Sequence, residues 1–210
     1  MATHLTELVK NHAHELLGRQ EVKELIDNVK QDYPAVVDEL IPDLLSIGQV
    51  QKVLKNLLKE KVSIRDLVTI LEVLADQAQN TQDTDILTEY VRQEGLSRQI
   101  SKKYKDENDN IYVITLAQQI EEQISNSIEH TEQGSYITLN PDLAQQIFNN
   151  LSQQIQQVTN QGYDPIVLTS PVVRYHFKQL TEQIASNLTV LSYNELEPYL
   201  NVQTIGMVNI

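Results

Sequence analysis

Residues 1–100 carry apolar side chains three and four positions apart, the spacing of one face of an α-helix. Ser46 and Gln49 form a capping-box pattern directly before the clearest of these stripes. A later stripe contains Gly95, and we expect a bend or break there, because a glycine inside a helix costs about 1 kcal/mol relative to alanine. The pattern predicts helices with apolar stripes over 5–17, 22–29, 50–58, 64–75 and 86–100.

Residues at the ends of these stripes predict where the helices begin and end. Thr3 is placed to cap the first helix and Gly18 to end it. Pro34 breaks the second helix and opens a short turn that extends to Pro42.

Ser63 and Asp66 form a variant of the capping box with a shorter acid. This spacing puts Arg65 and Asp66 in the first turn of the next helix, where Asp66 favours the helix dipole. Arg65 then faces outward, available for a salt bridge within the chain or across an interface between subunits.

Short β-branched runs follow residue 107 and alternate with helical patterns. This alternation predicts a small sheet with helical cover and right-handed crossovers. The predicted fold class is therefore mixed α+β, with an all-helical N-terminal part followed by a small α/β, sandwich-like subdomain. The predicted strands are 111–116, 165–168, 189–191 and 202–208, and the predicted helices are 120–128, 141–158 and 171–184.

The charged residues change in density near the same place. The chain has 16 Lys/Arg and 29 Asp/Glu, and its net charge of −13 divides into −4 for residues 1–104 and −9 for residues 105–210. The polar stretch 102–110 fits a loop, so we place a boundary between a helical subdomain, 19–106, and an α/β subdomain, 107–210. Because acidic surfaces repel phosphates, neither nucleic acid nor anionic lipid is an expected partner.

Composition argues against most cofactor chemistry. The sequence has no cysteine, which excludes disulfides and thiolate metal sites. No glycine-rich run leads to the lysine of a phosphate loop. No signal peptide is recognisable, and no stretch approaches the roughly 18 apolar residues of a membrane helix. We therefore expect no cofactor and a fragment that is not inserted in a membrane.

Histidines are the first candidate ligands. His12 and His14 are two positions apart and point away from each other on a helix, whereas paired helical ligands need a spacing of three or four. His4 lies about two turns from His12. We interpret these residues, and the separate His130 and His176, as ordinary histidines rather than as a metal site.

Ser170 lies where a strand becomes a helix, as hydrolase nucleophiles do. It lacks the flanking glycines of a nucleophile elbow, and a helix N-cap explains it. The neighbouring carboxylates Glu121 and Glu122, and also Glu195 and Glu197, are interpreted as solvated charge. We expect a protein that is not an enzyme. A hydrolase or metalloenzyme that uses His12, His14 or Ser170, and a helical adaptor of other ancestry, remain alternatives.

Several segments resemble the FlhA family of flagellar and type III secretion export-gate proteins. The stretch 44–76 is the closest match, above all VLKNLL at 53–58 and VSIRDL at 62–67. The segments at 3–5, 16–21, 90–92 and 98–100, Ser170-Pro171 with Arg174, 190–196 and 205–206 follow in the family's order. Each motif is weak alone, but their order and spacing together are specific.

The resemblance implies a cytoplasmic part of an export gate in the bacterial inner membrane. Members of the family have a membrane half and a cytoplasmic half of four subdomains, which assembles as a ring, typically a nonamer. This ring docks chaperone–substrate complexes and meets other export-apparatus proteins. Residues 1–18 would be the terminal helix of a preceding subdomain, and Met1 an internal start. The stretch 44–76 favours a flagellar system over a virulence system.

The resemblance carries one site residue to this chain. In flagellar members a threonine of a Thr-His-Leu motif lines a hydrophobic dimple for chaperones, which places Thr3 in that role. The dimple's other partners belong to a subdomain that this sequence lacks, so we expect an incomplete docking site. Arg65 is the expected interface residue.

Overall fold

The computed structural model describes residues 12–131, 134–182, 184, 185 and 187–210. The chain divides into two compact units between Ser97 and Arg98. We call them the helical unit and the α/β unit. The mixed fold class predicted from the sequence is confirmed.

In the part that is described, the helical unit contains helices only. Most of its buried side chains are leucines, valines and isoleucines, and many lie at the predicted stripe positions, among them Val50, Leu54, Leu57, Leu71 and Leu74. The helices are α1 (Ala13–Leu16), α2 (Arg19–Asp32), α3 (Pro34–Leu40), α4 (Ile47–Lys59), α5 (Leu67–Gln77) and α6 (Thr84–Tyr90).

Local signals set most of these boundaries. The capping box predicted before α4 is confirmed: the Ser46 hydroxyl accepts a hydrogen bond from the Gln49 backbone N–H at 3.2 Å, and the Gln49 side chain accepts one from the Ser46 N–H at 2.9 Å. Gly18 was predicted to end the first helix, but α1 ends at Leu16 and Gly18 precedes α2 in an extended conformation.

Two predictions about helix starts are wrong. The predicted turn after Pro34 is helix α3, which forms because proline at the first helical position lacks only an N–H that would be unpaired there anyway. Asp66 does not lie in the first turn of α5. It is the N-cap, and its carboxylate accepts a hydrogen bond from the Thr69 N–H at 3.3 Å.

The predicted break at Gly95 takes the form of a π-helical turn, Val91–Gly95, directly after α6. A Cβ at Gly95 would lie 3.3 Å from methyl groups of both Thr69 and Val73. Close packing against α5 therefore favours glycine there, and the chain resumes as a separate helix after Leu96.

The α/β unit is built on a parallel sheet in the order β5-β4-β1-β6. All four predicted strands are confirmed. In chain order the elements are α7 (Ser97–Tyr104), β1 (Asn110–Leu116), α8 (Gln118–Asn126), β2 (Ile128–Thr131), β3 (Gly134–Ile137), α9 (Pro141–Asn160), β4 (Ile166–Thr169), α10 (Pro171–Thr181), β5 (Thr189–Ser192) and β6 (Asn201–Val208).

The core of this unit lies between the sheet and its covering helices. Ile114 and Val167 from the central strands, Ile124 from α8, Leu151 from α9 and Phe177 from α10 are buried together. Strand β4 is buried on both faces, as expected for the interior of a parallel sheet.

Two predictions for this unit are wrong. Ile128 was assigned to a helix, but it begins the antiparallel hairpin β2–β3. Ile184 was assigned to the helix after Ser170, but α10 ends at Thr181 and Ile184 is exposed. Apolar residues four positions apart fit a helix in both places, and periodicity alone does not show where the helix stops.

The division at Ser97 precedes the boundary near residue 106 that composition suggests. Helix α7 is tied into the α/β unit by Ser101, whose hydroxyl donates to the Glu195 carbonyl at 3.2 Å and accepts from the Glu197 N–H at 2.9 Å. The subdomain boundaries 1–18, 19–106 and 107–210 remain predictions.

Candidate docking and assembly surfaces

The two predicted interface residues differ in what the structure shows. Thr3 lies outside the described residues. Arg65 is exposed, and its backbone N–H donates to the Ser63 hydroxyl at 3.3 Å. No acidic side chain in the described part of the chain forms an ion pair with the Arg65 guanidinium. A charged group without a partner among the described residues is available to another molecule.

His12 and His14 were expected to point away from each other, and the structure corrects this. His12 is not helical, because α1 begins at Ala13. Its Nδ1 lies 3.0 Å from Glu15 Oε1, and His14 Nε2 lies 3.8 Å from the same oxygen. The hydrogen bond from His12 and its charge hold the pKa of Glu15 below its usual value.

Within the ranges that the structure describes, no group of three or more His, Asp or Glu side chains is arranged to hold a metal ion. Among the separate histidines, His176 is buried, and its Nε2 lies 3.4 Å from the Ser135 hydroxyl of the hairpin. The His130 side chain lies outside the described part.

Ser170 precedes α10, but its side chain makes no capping hydrogen bond. Glu121 of α8 supplies the anion at this helix start: its Oε1 accepts from the Ser170 backbone N–H at 2.9 Å. A carboxylate is favoured there by the helix dipole and the unpaired N–H groups. The predicted N-cap role of the Ser170 side chain is therefore wrong, and so is the reading of Glu121 as solvated charge.

Glu195 is a second carboxylate that is not solvated. It is fully buried, and its Oε2 accepts a hydrogen bond from the Ser192 backbone N–H at the end of β5. The backbone carbonyl of Glu195 also accepts a hydrogen bond from the Ser101 hydroxyl. Glu195 therefore holds the β5–β6 connection, which is a structural role.

Buried charge also occurs in the helical unit. Arg92, in the π-helical turn, is 2% exposed, and its Nη1 lies 3.3 Å from Glu60 Oε2 at the end of α4. An arginine in this environment fixes the packing of neighbouring helices rather than meeting a partner.

An apolar cavity of about 390 Å³ lies in the α/β unit. Its lining includes Ile155 of α9, Pro165 before β4, and Ile184 and Leu188 before β5. None of the described residues that line it is charged. These walls could receive an apolar side chain but hold no group for acid–base chemistry.

The helices of the described part do not include one with both the length and the apolar character needed to cross a bilayer.

The candidate surfaces are an exposed arginine, an uncharged cavity and an acidic exterior. Sequence reasoning identified Arg65 from its motif. It missed Glu121 and the cavity, because both depend on residues brought together from distant parts of the chain.

Comparison with known proteins adds the ancestry of this fold. The family model described as "FHIPEP family" matches residues 1–201. The flagellar biosynthesis protein FlhA of Bacillus subtilis is 48% identical over the whole chain, and that of Borreliella burgdorferi is 37% identical. The low calcium response locus protein D of Yersinia pestis is 28% identical over 98% of the chain.

Solved structures of related proteins have the same fold as this chain. The Chlamydia pneumoniae CdsV protein superposes with a TM-score of 0.91 over 99% of this chain, at 34% identity. Nonameric EPEC SctV-C superposes with a TM-score of 0.86 at 31% identity. The chain spans about a third of the length of the Bacillus relative (31%) and 59% of the CdsV chain. The chain belongs to the FHIPEP family, with the FlhA flagellar proteins and the type III secretion gate proteins.

Proposed function

We propose that this chain is part of the cytoplasmic region of a flagellar export gate at the bacterial inner membrane. In that region it contributes to a nonameric ring that docks chaperone–substrate complexes. The similarity to FlhA proteins over the whole chain is the observation that carries this proposal. Ring formation is supported by the nonameric state named for two relatives.

The relatives favour the flagellar system over the virulence system. The Bacillus FlhA protein is 48% identical to this chain, whereas the Yersinia virulence relative is 28% identical. A virulence-type gate is the second candidate, since the CdsV structure superposes closely. We prefer the export-gate assignment to the hydrolase alternative, because the similarity to FlhA proteins extends over the whole chain.

A chimaera tests the flagellar assignment. The matching region of Bacillus subtilis FlhA is replaced by this chain, and the strain is assayed for swimming and for filament protein in the medium. We expect partial or full restoration relative to a strain without FlhA. A chimaera that accumulates normally in the membrane but restores neither swimming nor export contradicts the proposal.

Arg65 is proposed as a contact between ring subunits or with a docked partner. Its exposure predicts that Arg65→Ala leaves folding almost unchanged, within about 0.5 kcal/mol. In the chimaera the same change should reduce export several-fold. Arg98→Ala is the matched control, since Arg98 is also exposed and outside any described ion pair. Equal export by the two variants would show that Arg65 does not lie at such an interface.

Thr3 is proposed to line a chaperone dimple that is incomplete in this chain. Calorimetry should show weaker binding of flagellar chaperones to this chain than to the complete cytoplasmic half. In the chimaera, which contains the other subdomains, substitution of Thr3 by a bulky residue should lower chaperone affinity. Equal affinity of the short chain and the complete half would show that the dimple lies elsewhere.

A further inference from the structure

Strand β6 is an open edge of the parallel sheet. Among the strands that the structure describes, it pairs with β1 alone, on one side. Its residues 201–204 are all exposed, and none of its eight residues is charged or proline. Edge strands of this kind offer unpaired N–H and C=O groups to another strand, and natural proteins commonly block them with charge, proline or a bulge.

The backbone bonds at its two ends show which groups point outward. The Asn201 N–H donates to the Asp109 carbonyl just before β1, and the Val208 carbonyl accepts from Ala117 just after β1. In a parallel pair, alternate residues direct both backbone groups at the neighbour. Asn201 and Gln203 therefore face β1, and Val202 and Thr204 direct their N–H and C=O groups away from it.

The second half of the same edge is already blocked. The pairing register shifts between Val113 and Ile114, opposite Thr204 and Gly206, which is a bulge in β6. Beyond it the Met207 N–H donates to Gln154 Oε1 of α9 at 3.2 Å. That oxygen would lie 2.6 Å from a Cβ at Gly206, so the glycine admits this side chain. No described residue covers Val202 or Thr204 in a comparable way.

Electrostatics determine what can meet this edge. Residues 105–210 carry three Lys/Arg and twelve Asp/Glu, so two copies of the unit repel over most of their surfaces. Residues 198–210 contain no charged side chain, and neither do residues 143–163, which include most of α9. The uncharged edge and the helix beside it are a surface on which a second copy meets no like charge.

We propose that residues 201–204 of β6 pair antiparallel with the same residues of a second copy. The outward groups at Val202 and Thr204 are symmetric about Gln203, so a two-fold axis through Gln203 places each Val202 opposite the other copy's Thr204. This register satisfies four N–H···O bonds and joins two sheets into one. The edge is self-complementary, and no other chain is needed to pair it.

This contact differs from the ring interface of the nonameric relatives. A closed ring of nine requires two different patches on each subunit, whereas a two-fold contact uses one patch twice. Four residues bury little surface, so the dimer is weak and concentration-dependent. It does not depend on the proposed export function.

A single cysteine tests the register, since the natural sequence has none. In Gln203→Cys the two thiols would lie at a non-hydrogen-bonded pair, with Cα atoms about 4.5 Å apart, within reach of a disulfide. Mild oxidation of the whole chain should give a covalent dimer on a non-reducing gel. Gln146→Cys, at an exposed glutamine of α9, is the matched control and should remain largely monomeric.

Two further variants separate the pairing from random collision. Val202→Cys should cross-link far less than Gln203→Cys, because its two copies are displaced by about 7 Å along the strands. Adding Val202→Lys to Gln203→Cys should suppress the covalent dimer several-fold, while the circular dichroism spectrum stays unchanged. The proposal is overturned if Gln203→Cys cross-links no more than Gln146→Cys, or if the lysine has no effect on a folded protein.

Discussion

The helical unit and the α/β unit both place a serine directly before a helix, and the two serines behave differently. Ser46 caps α4 through a reciprocal bond with Gln49, three residues later. Ser170 precedes α10 without capping it, and Glu121 from another helix accepts the Ser170 N–H instead. The same local pattern therefore has a local partner in one unit and a distant partner in the other.

The difference follows from how each unit is connected. The start of α4 is capped by residues within four positions of one another, so this cap needs no tertiary contact. The start of α10 follows a buried strand, and α8 packs beside it because both helices cover the same sheet. A carboxylate on α8 is therefore available at that start. Of these two helix starts, only that of α4 has the contact that its local motif predicts.

The largest expected effect comes from removing a core side chain from either unit. Phe177→Ala should lower the free energy of unfolding by about 3–5 kcal/mol, and Leu54→Ala by about 2–5 kcal/mol, because both side chains are fully buried. Denaturant titration measures the loss, and hydrogen exchange locates it. A loss below about 1 kcal/mol in either variant would contradict the assigned core.

Arg92 tests whether buried charge supports the helical unit. Arg92→Ala leaves Glu60, which is 15% exposed, without this partner, and should cost about 3 kcal/mol. Arg92→Met keeps most of the volume and should cost less when combined with Glu60→Gln. Denaturant titration of the variants and the double variant gives the coupling energy. Additive effects would show that the two residues do not interact.

The two serines give the most direct test of the comparison. Ser46→Ala should cost about 1 kcal/mol, the usual value of an N-cap. Ser170→Ala should cost less than about 0.5 kcal/mol, because its hydroxyl caps nothing. Glu121→Gln should destabilise the start of α10, as read by hydrogen exchange there. Equal losses of unfolding free energy in the two serine variants would show that the two serines do not differ in capping.

The smallest expected effect is the titration of Glu15. Because the pKa of this carboxyl is lowered in the folded protein, its contribution to stability is present above the unfolded pKa and is lost as pH falls through the folded pKa. Carboxyl chemical shifts measured by NMR should show Glu15 titrating below the usual glutamate range. In His12→Ala the pKa should return towards that range, and an unchanged pKa would exclude His12 as the cause.

Among the surfaces, the sequence correctly predicted that Arg65 faces outward, directly before the N-cap residue of α5. It did not identify the open half of β6. The sequence alone does not show that β6 lies at an edge, because the strand order depends on how distant segments pair. Glu195 was interpreted as solvated charge but is buried, with its carboxylate bonded to the Ser192 N–H. Arg92 is also buried, beside Glu60, which is 32 positions away in the sequence.

The sequence by itself determined the positions of most helices and strands, the mixed fold class and the family. Apolar spacing and capping residues act over a few positions, and the order of motifs records ancestry. The tertiary structure alone decided the strand order, the hairpin β2–β3, the π-helical turn at Gly95, the carboxylate at the start of α10 and the uncovered edge. Each of these depends on which distant segments pack together, and the packing free energy of such contacts is not encoded in any short window of residues.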